Sequence, residues 1–281
     1  GDGEPIALYV HLPYCRTRCL YCGCHALANH RAAVVDAYLD DVERELALVF
    51  EALGPARPVV QMHWGGGTPN HLGDPQLARL FAMIERRVRF VPGAELSVEA
   101  DPRVTTRAQL GLLAGLGFGR VSFGVQDLDP DVQAAIGRVQ PAALVADVVE
   151  ASRAAGFAGV NLDLVYGLPR QTRRSFAGTI ETVLAIAPDR VACFGYAHLP
   201  AMFPHQRAID ADALPVGPDR FALFRDAVDA FGAAGYAWLG LDHFARPGDA
   251  LARAQRAGAL HRDFMGYTTR PARHLVAIGM S

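Results

Sequence analysis

Four cysteines lie within ten residues near the start of the 281-residue chain: Cys15, Cys19, Cys22 and Cys24. The first three have the spacing C-x3-C-x2-C, so three thiolates on one loop could bind three irons of a [4Fe–4S] cube. Thiolates are the soft ligands that such a cluster needs. The fourth iron would lack a protein ligand and could bind a substrate or cofactor directly. Cys24 could also ligate, although we interpret it as a bystander beside three ligands.

A zinc ion is the alternative occupant of this loop, with Cys24, His11 or His25 as additional ligands. Zinc sites more often divide their ligands into two pairs separated by a long spacer, so the spacing favours the cluster. The fifth cysteine, Cys193, lies far along the chain in an apolar segment and is predicted to be a core residue. An odd number of cysteines grouped in this way is a poor disulfide framework and indicates a reducing, cytoplasmic compartment.

Composition excludes several classes of function. The 27 basic and 29 acidic residues give a net charge of −2, so no nucleic-acid partner is expected. All the basic residues are arginines, which excludes a Walker lysine and a Schiff-base lysine. An apolar content of 51% excludes bulk disorder. No apolar run has the length of a membrane span, and none is predicted.

Short apolar strands alternate with amphipathic helices along the chain, which predicts βαβ units and a parallel sheet. Strands are expected at 6–11, 59–64, 94–99, 120–125, 160–165, 190–194 and 237–241. Helices are expected at 32–52, 74–88, 105–116, 129–136, 141–155, 171–186 and 219–234. No composition break marks a linker, so we expect one domain over 1–281. The absence of a starting Met and the apolar last residues suggest that it is a fragment of a longer chain.

Polar and glycine residues follow most of the predicted strands, and ligands bind at this carboxyl edge of parallel sheets and barrels. The glycine run Gly65–Gly67 could let a ligand approach the backbone closely, although a plain tight turn explains it equally well. Asp163 stands among apolar neighbours, where a carboxylate needs a partner. Glu99 ends a strand and could accept hydrogen bonds from hydroxyls or an ammonium group. Asp101 is expected to be a solvated loop carboxylate.

The cysteine motif, with the aromatic Tyr21 before its last cysteine, resembles the radical S-adenosylmethionine (SAM) superfamily. Longer stretches narrow the resemblance to the oxygen-independent coproporphyrinogen III oxidases, also called coproporphyrinogen dehydrogenases. The similarity runs from about residue 6 to the last residue. Its motifs are Tyr9-Val-His-Leu-Pro-Tyr-Cys15, His63-Trp-Gly-Gly-Gly-Thr-Pro69, Gly124-Val-Gln-Asp127, Tyr166-Gly-Leu-Pro-Arg-Gln-Thr172, Tyr196-Ala-His-Leu-Pro200, Gln206-Arg-Ala-Ile209, Asp242-His-Phe-Ala-Arg-Pro247 and Gly266-Tyr-Thr-Thr269.

The resemblance implies an α/β fold, a partial (β/α)6-type radical SAM barrel, with the family's N-terminal arm and C-terminal helical domain absent. It implies a [4Fe–4S] cluster on Cys15, Cys19 and Cys22 and two SAM molecules. A first SAM would contact Tyr9, Gly66 and Glu99. His11 lies just upstream of the cluster, where it is either a core histidine held by hydrogen bonds or a catalytic contact on the proton or electron side. The second SAM would contact Tyr21, Gly67, Thr68, Gln126, Arg138, Asp163 and Ala197. For Arg138, a surface salt bridge is the alternative interpretation.

The implied activity is the oxidative decarboxylation of two propionates of coproporphyrinogen III to vinyl groups, giving protoporphyrinogen IX through a 5′-deoxyadenosyl radical. An electron donor such as a flavodoxin or ferredoxin and a monomeric state are also implied. Arg207, His243 and Arg246 could anchor the substrate's carboxylates. Met265 stands where the oxidases commonly have a glutamine. The alternatives are a haem chaperone, a haem-modifying methyltransferase-like relative, or a non-catalytic haem or cluster carrier.

Overall fold

The structure is a computed structural model that describes residues 3–28, 31–54 and 56–280. Its strands are β1 (Ile6–Leu12), β2 (Tyr14–Cys15), β3 (Leu27–Ala28), β4 (Arg57–Gly66), β5 (Val88–Ala100), β6 (Arg120–Gln126), β7 (Gly159–Tyr166), β8 (Arg190–Gly195), β9 (Ala237–Gly240), β10 (His243–Ala245), β11 (His261–Asp263), β12 (Gly266–Thr268) and β13 (His274–Ile278). Its helices are α1 (Ala32–Leu53), α2 (Asp74–Glu85), α3 (Arg107–Gly115), α4 (Pro130–Ala135), α5 (Ala142–Ala155), α6 (Arg173–Ile186), α7 (Gly217–Ala233) and α8 (Ala250–Arg256).

Six strands, β1 and β4 to β8, are parallel neighbours in chain order within a nine-stranded sheet. Successive members of this set are separated by helices. The outer helices bury apolar stripes of helical period, as α1 does with Val35, Leu39 and Val42. The expected α/β class and partial six-stranded barrel are therefore confirmed.

The two ends of the sheet extend beyond the expected elements. Strand β13 pairs with β1 in parallel, whereas β10 is antiparallel to both β8 and β9. Neither β10 nor β13 was expected from the sequence. The helix expected at 74–88 ends at Glu85 instead. Val88 continues the apolar period of that helix, but its backbone pairs with Arg57 of β4 and starts a strand.

Side chains of alternate strand residues point into the barrel, and many of them are polar. Arg120 and Arg190 lie near its floor and share the buried carboxylate of Asp249, at 3.1 and 3.0 Å. The hairpin β11–β12 spans the interior. Its Asp263 accepts a hydrogen bond from Gln61 of β4 at 2.6 Å, and its Tyr267 ring lies 5.3 Å from the His243 ring of β10.

In the part of the chain that the structure describes, no helix is long and apolar enough to cross a bilayer.

Candidate functional site

One cavity of about 280 Å³ lies at the carboxyl edge of the sheet, and residues at or after the ends of β1 and β4 to β8 line it. It brings together residues that the sequence places far apart. Its lining includes all but three of the predicted site residues: Cys15, Cys19, Cys22, Tyr21, Gly66, Gly67, Thr68, Glu99, Gln126, Arg138 and Asp163. Cys24 also lines it. The roles assigned to these residues remain predictions, but one site can hold them all.

The three remaining predicted residues lie beside this lining. The Tyr9 hydroxyl is 3.1 Å from Nδ1 of His11, and Nε2 of His11 is 3.0 Å from the carbonyl oxygen of His25. These contacts fix the His11 ring against the backbone of Gly66. The carbonyl oxygen of Ala197 accepts a hydrogen bond from Gln206, which also donates to the carbonyl oxygen of Tyr21. The segment around Ala197 is thereby attached to the cysteine loop.

The glycine run is packed tightly against the cysteine loop. A Cβ atom on Gly67 would lie 2.8 Å from the carbonyl carbon of Pro13, so a side chain cannot fit there without moving the backbone. The Thr68 hydroxyl lies 3.2 Å from the Cys15 sulfur. The plain-turn alternative therefore does not explain this segment, which needs glycine because two backbones approach each other at the cavity wall.

Two arginines place their positively charged guanidinium groups beside the Cys19 sulfur. Nη1 of Arg138 lies 3.4 Å from the Cys19 sulfur and Nη2 of Arg103 lies 3.7 Å from it. Both guanidinium groups also bind the carboxylate of Asp101, at 3.1 and 2.6 Å. Arg138 is 6% exposed and Asp101 is 7% exposed. The surface-salt-bridge alternative for Arg138 and the expectation of a solvated Asp101 are thus both wrong.

Asp101 stays ionised in this environment. Burial by itself would raise its pKa, but hydrogen bonds from Arg103 and the charge of Arg138 outweigh burial, and the pKa lies below its ordinary value. Sequence analysis did not single out Arg103. Its position two residues after Asp101 was the available signal, because a carboxylate at a strand end is often paired with a nearby cation.

The carboxylate of Glu99 is held in place by two neighbours. Its Oε2 accepts a hydrogen bond from the backbone N–H of Gly66 at 3.2 Å, and its Oε1 lies 3.2 Å from Nε2 of His63. Nδ1 of His63 is in turn 2.7 Å from the Ser97 hydroxyl. Sequence analysis also missed this histidine. Each carboxylate oxygen keeps a second lone pair that can accept from a hydroxyl or ammonium group in the cavity.

The thiols of the cysteine loop differ in acidity. A hydrogen bond from the Cys24 thiol lowers the pKa of Cys22 to about 6, whereas burial raises the pKa of Cys15 to about 11. The same Cys22–Cys24 contact and burial raise the pKa of Cys24 strongly. Cys22 is therefore the thiol that is ready to ligate at neutral pH, while Cys15 must lose its proton to a metal.

Asp163 lies in β7 between hydrogen-bonding partners. Its Oδ2 accepts from the Ser122 hydroxyl at 2.8 Å and its Oδ1 accepts from the Asn161 amide at 2.7 Å. Burial, with the charge of Glu99 as the second cause, raises the pKa of Asp163 to about 6. Ser122 and Asn161 are thus the polar partners that we expected for a carboxylate among apolar neighbours.

We expect Asp163 to make folding stability fall as the pH rises. The pKa is higher in the folded state than in the unfolded chain, so the folded state binds the proton more tightly. The contribution to stability is complete below about pH 4 and is lost as the pH rises through about 6. The variant Asp163→Asn should gain about 1–2 kcal/mol relative to the unaltered chain between pH 5 and pH 8. Urea unfolding at both pH values measures this difference.

The exposed carboxylate of Asp147 provides the control for that experiment. Asp147 pairs with Arg107 on the protein surface, and such pairs contribute about 0.5 kcal/mol. Asp147→Asn should therefore change stability equally at pH 5 and pH 8. A stability difference between Asp163→Asn and the unaltered chain that stays constant over this range would contradict the account of Asp163.

The chemistry of the donor set fits a [4Fe–4S] cluster. Three thiols on one loop line a cavity, two guanidinium groups offset their negative charge, and the glycine run leaves room beside them. Among residues 3–28, 31–54 and 56–280, no three His, Cys, Asp or Glu side chains are grouped closely enough for one metal ion. A cube places its ligands on separate irons, so it does not need such a tight group.

Comparison with known proteins identifies the family of this chain. Residues 9–183 match the Radical SAM superfamily. The chain is 40% identical over 277 residues to the curated oxygen-independent coproporphyrinogen III oxidase of Synechocystis, and 41% identical over 279 residues to that of Escherichia coli. Each alignment covers 99% of this chain but only 59% and 61% of the respective relative. The chain thus spans about three fifths of the length of these relatives.

Solved structures give the same result for the fold. The Escherichia coli coproporphyrinogen III oxidase, a radical SAM enzyme, superposes with a TM-score of 0.96 at 40% identity, covering 100% of this chain and 64% of that one. The Streptococcus suis protein SuiB, solved with S-adenosylmethionine bound, matches with a TM-score of 0.54 at 15% identity. The latter likeness concerns the fold alone.

Proposed function

Because this chain belongs to the radical SAM superfamily, we propose that it is the catalytic domain of an oxygen-independent coproporphyrinogen III oxidase. Membership of that superfamily implies a [4Fe–4S] cluster and SAM. The substrate is coproporphyrinogen III and the product is protoporphyrinogen IX. The observation that carries the proposal is the single cavity that unites three cysteines, the glycine run, Glu99, Arg138 and Asp163.

Cys15, Cys19 and Cys22 hold the cluster in this proposal, with Cys24 as a neighbour that does not ligate. When bound, the reduced cluster and SAM would supply the radical chemistry that removes one hydrogen atom from a substrate propionate, so that loss of CO2 and of one electron to an external acceptor leaves a vinyl group. Two propionates react in turn.

The chain's own side chains orient the bound groups. The fixed carboxylate of Glu99 accepts hydrogen bonds from a first SAM, beside Tyr9 and Gly66, and His11 supports this wall. A guanidinium can bind a carboxylate through two hydrogen bonds. In Arg138 that group is largely engaged by Asp101, the Gly124 carbonyl and Cys19. We therefore propose that it acts on a second SAM through charge, together with Tyr21, Gly67, Thr68, Gln126, Asp163 and Ala197.

We propose that a flavodoxin or ferredoxin would serve as the electron donor and that the protein is a cytoplasmic monomer. Of the three residues suggested as substrate anchors, His243 lines the barrel interior. Arg246 instead lines a separate cavity with Asp249 and Tyr236. Arg207 lies on the surface in the short 3-10 helix Pro204–Ala208. His243 is therefore the anchor that the geometry supports.

The decisive experiment is an anaerobic incubation of the reduced, reconstituted chain with SAM and coproporphyrinogen III. We expect vinyl-containing product and 5′-deoxyadenosine, because every predicted cluster and SAM contact except Tyr9 and Ala197 lines the cavity. Formation of 5′-deoxyadenosine without vinyl product would favour a haem-modifying relative. Tight haem retention without SAM cleavage would favour a haem chaperone or a carrier, and a zinc protein would lack the brown colour of the cluster.

Iron analysis of cysteine variants tests the ligand set independently of turnover. Cys15→Ala, Cys19→Ala and Cys22→Ala should each lose most of the bound iron. Cys24→Ala should keep it, since three thiolates suffice. Cys193→Ala is the matched control, because that thiol is fully buried in β8 away from the cavity. Loss of iron from Cys24→Ala equal to that from Cys15→Ala would show four cysteine ligands and contradict the three-ligand assignment.

A further inference from the structure

Three segments of the chain that meet at the cysteine loop contain no acidic residue. Although 29 of the 281 residues are Asp or Glu, neither occurs in residues 5–35, 132–146 and 190–209. The first segment includes the cysteine loop, which we define as residues 15–24. The other two lie far along the chain, so only the fold brings them to the loop. None of the three segments therefore contributes a carboxylate to the surface around the cysteines.

Contacts with the backbone of the cysteine loop join the three segments. The backbone N–H of Leu20 donates to the carbonyl oxygen of Ile136 at 3.0 Å. Elsewhere on the loop, Nε2 of His205 lies 2.7 Å from the carbonyl oxygen of Cys22. The turn after Ile136 and the segment around His205 are thus both neighbours of the loop.

Two arginines beside the loop are exposed and have no partner. Arg16 follows Cys15 directly, and Arg207 lies two residues after His205. Neither guanidinium group makes a hydrogen bond or an ion pair with any residue that the structure describes. Because no carboxylate of these segments offsets them, both arginines contribute a positive potential to the surface. This charge favours an acidic partner.

Exposed apolar side chains lie on the same two neighbouring segments. Val139 is 67% exposed, Leu199 is 44% exposed and Met202 is 70% exposed. Arginine and methionine are enriched in protein–protein interfaces, whereas Asp and Glu are depleted there. The surface beside the cysteine loop therefore has the composition of a protein interface.

We propose that this surface binds the acidic carrier protein that reduces the cluster. We call it the docking surface and define it by Arg16, Val139, Leu199, Met202 and Arg207. The reduced carrier passes one electron to the oxidised cluster and is itself oxidised by one electron, and no bond forms or breaks. This inference rests on the proposed function and specifies where the electron donor of that reaction binds.

The position of the docking surface suits electron transfer. The rate of electron transfer between proteins falls steeply with distance, so the carrier must approach the cluster loop closely. Cys15 and Cys22 are only half-buried, and Arg16 beside them is exposed. No residue of the docking surface lines the cavity assigned to SAM. A carrier can therefore bind next to the cluster while SAM occupies that cavity.

Charge reversal tests the electrostatic part of the docking surface. Flavodoxin, an acidic one-electron carrier, is the probe, and its binding to the reconstituted chain is measured by anaerobic titration calorimetry. Arg16→Glu and Arg207→Glu should each raise the dissociation constant at least fivefold at low ionic strength. High salt should reduce this difference, because it screens exposed charges. Arg89→Glu is the matched control, since Arg89 is exposed at the start of β5, and it should bind within twofold of the unaltered chain.

The formation of 5′-deoxyadenosine with two reductants separates docking from damage to the cluster. With reduced flavodoxin, Arg16→Glu and Arg207→Glu should form it at least fivefold more slowly than the unaltered chain. With photoreduced 5-deazariboflavin, a small molecule that needs no docking surface, the rates should be equal. An equal loss with both reductants would mean that the substitutions disturb the cluster, and would contradict the docking assignment.

Met202→Ser tests the apolar part of the docking surface. We expect flavodoxin to bind about threefold more weakly, because an exposed apolar contact is lost. Leu48→Ser is the matched control, since Leu48 is 68% exposed on α1, and its affinity for flavodoxin should be unchanged.

Three outcomes distinguish failure of the docking surface from failure of the proposed function. A chain that assembles no cluster would overturn both. A chain whose cluster responds to SAM but which does not bind flavodoxin, or binds it equally well after charge reversal, would overturn the docking surface alone. Displacement of flavodoxin by coproporphyrinogen III would assign the surface to the substrate and also overturn this inference.

Discussion

Replacing Gly66 with alanine should remove SAM binding and destabilise the fold by about 2–4 kcal/mol. Gly66 has a φ of 116°, a conformation that residues with a Cβ rarely adopt, and its new Cβ would lie 2.8 Å from Cε1 of His11. The His11 ring cannot easily move away, because Tyr9 and the His25 carbonyl hold both of its nitrogens. The measurements are urea unfolding and the change in the cluster's electron paramagnetic resonance spectrum on addition of SAM.

Gly111→Ala provides the control for this substitution. Gly111 lies in α3 with open space where its Cβ would stand, so alanine there should stabilise the chain by about 0.5–1 kcal/mol. A Gly66→Ala protein that unfolds at the same urea concentration as the unaltered chain and still responds to SAM would refute the close approach of Gly66 and His11.

Arg138→Met should cost about 3–5 kcal/mol of folding free energy, the usual effect of removing one partner of a buried ion pair. Three acceptors lose a donor at once: Asp101 at 3.1 Å, the Gly124 carbonyl oxygen at 2.5 Å and the Cys19 sulfur at 3.4 Å. Arg103 continues to pair with Asp101, so the lower end of this range is expected. Chemical denaturation of the metal-free protein gives the value.

The surface pair of Arg107 and Asp147 is the matched comparison for Arg138. Arg107→Met removes the same charge from an exposed pair and should cost less than about 1 kcal/mol. Equal losses of stability in the two variants would mean that the environment of Arg138 is not the buried, charged one described here. The iron content of Arg138→Met should also fall, because a cation beside the Cys19 thiolate is lost.

Local patterns predicted most of the barrel because each of its parallel strands is a short apolar run followed by a helix. The failures occur where distant residues decide the structure. Val88 fits the period of α2 but joins a strand through Arg57. His274–Ile278 forms a strand only because β1 offers it an unpaired edge. The residues next to Val88 and next to 274–278 give no indication of these distant pairing partners.

The residues of the candidate site also divide into those that the sequence predicted and those that contacts between distant residues determine. The resemblance to the oxidases named the residues that line the cavity, and the strand ends placed them on one edge. Asp101 was misjudged because its partner Arg138 is distant in sequence and the signal from nearby Arg103 was overlooked. His63 was overlooked because its contacts with Glu99 and Ser97 cross between β4 and β5. Long-range polar pairs of this kind depend on the assembled sheet.

The position of β1 inside the sheet, between β13 and β4, affects how the protein matures. One edge of β1 can pair as soon as β4 has been synthesised, but the other edge waits until residues 274–278 have left the ribosome. Pairing over such a separation in sequence is slow. The cysteine loop is the direct continuation of β1, so its final shape depends on this late step. Iron and sulfide would therefore be inserted after residues 274–278 have joined the sheet.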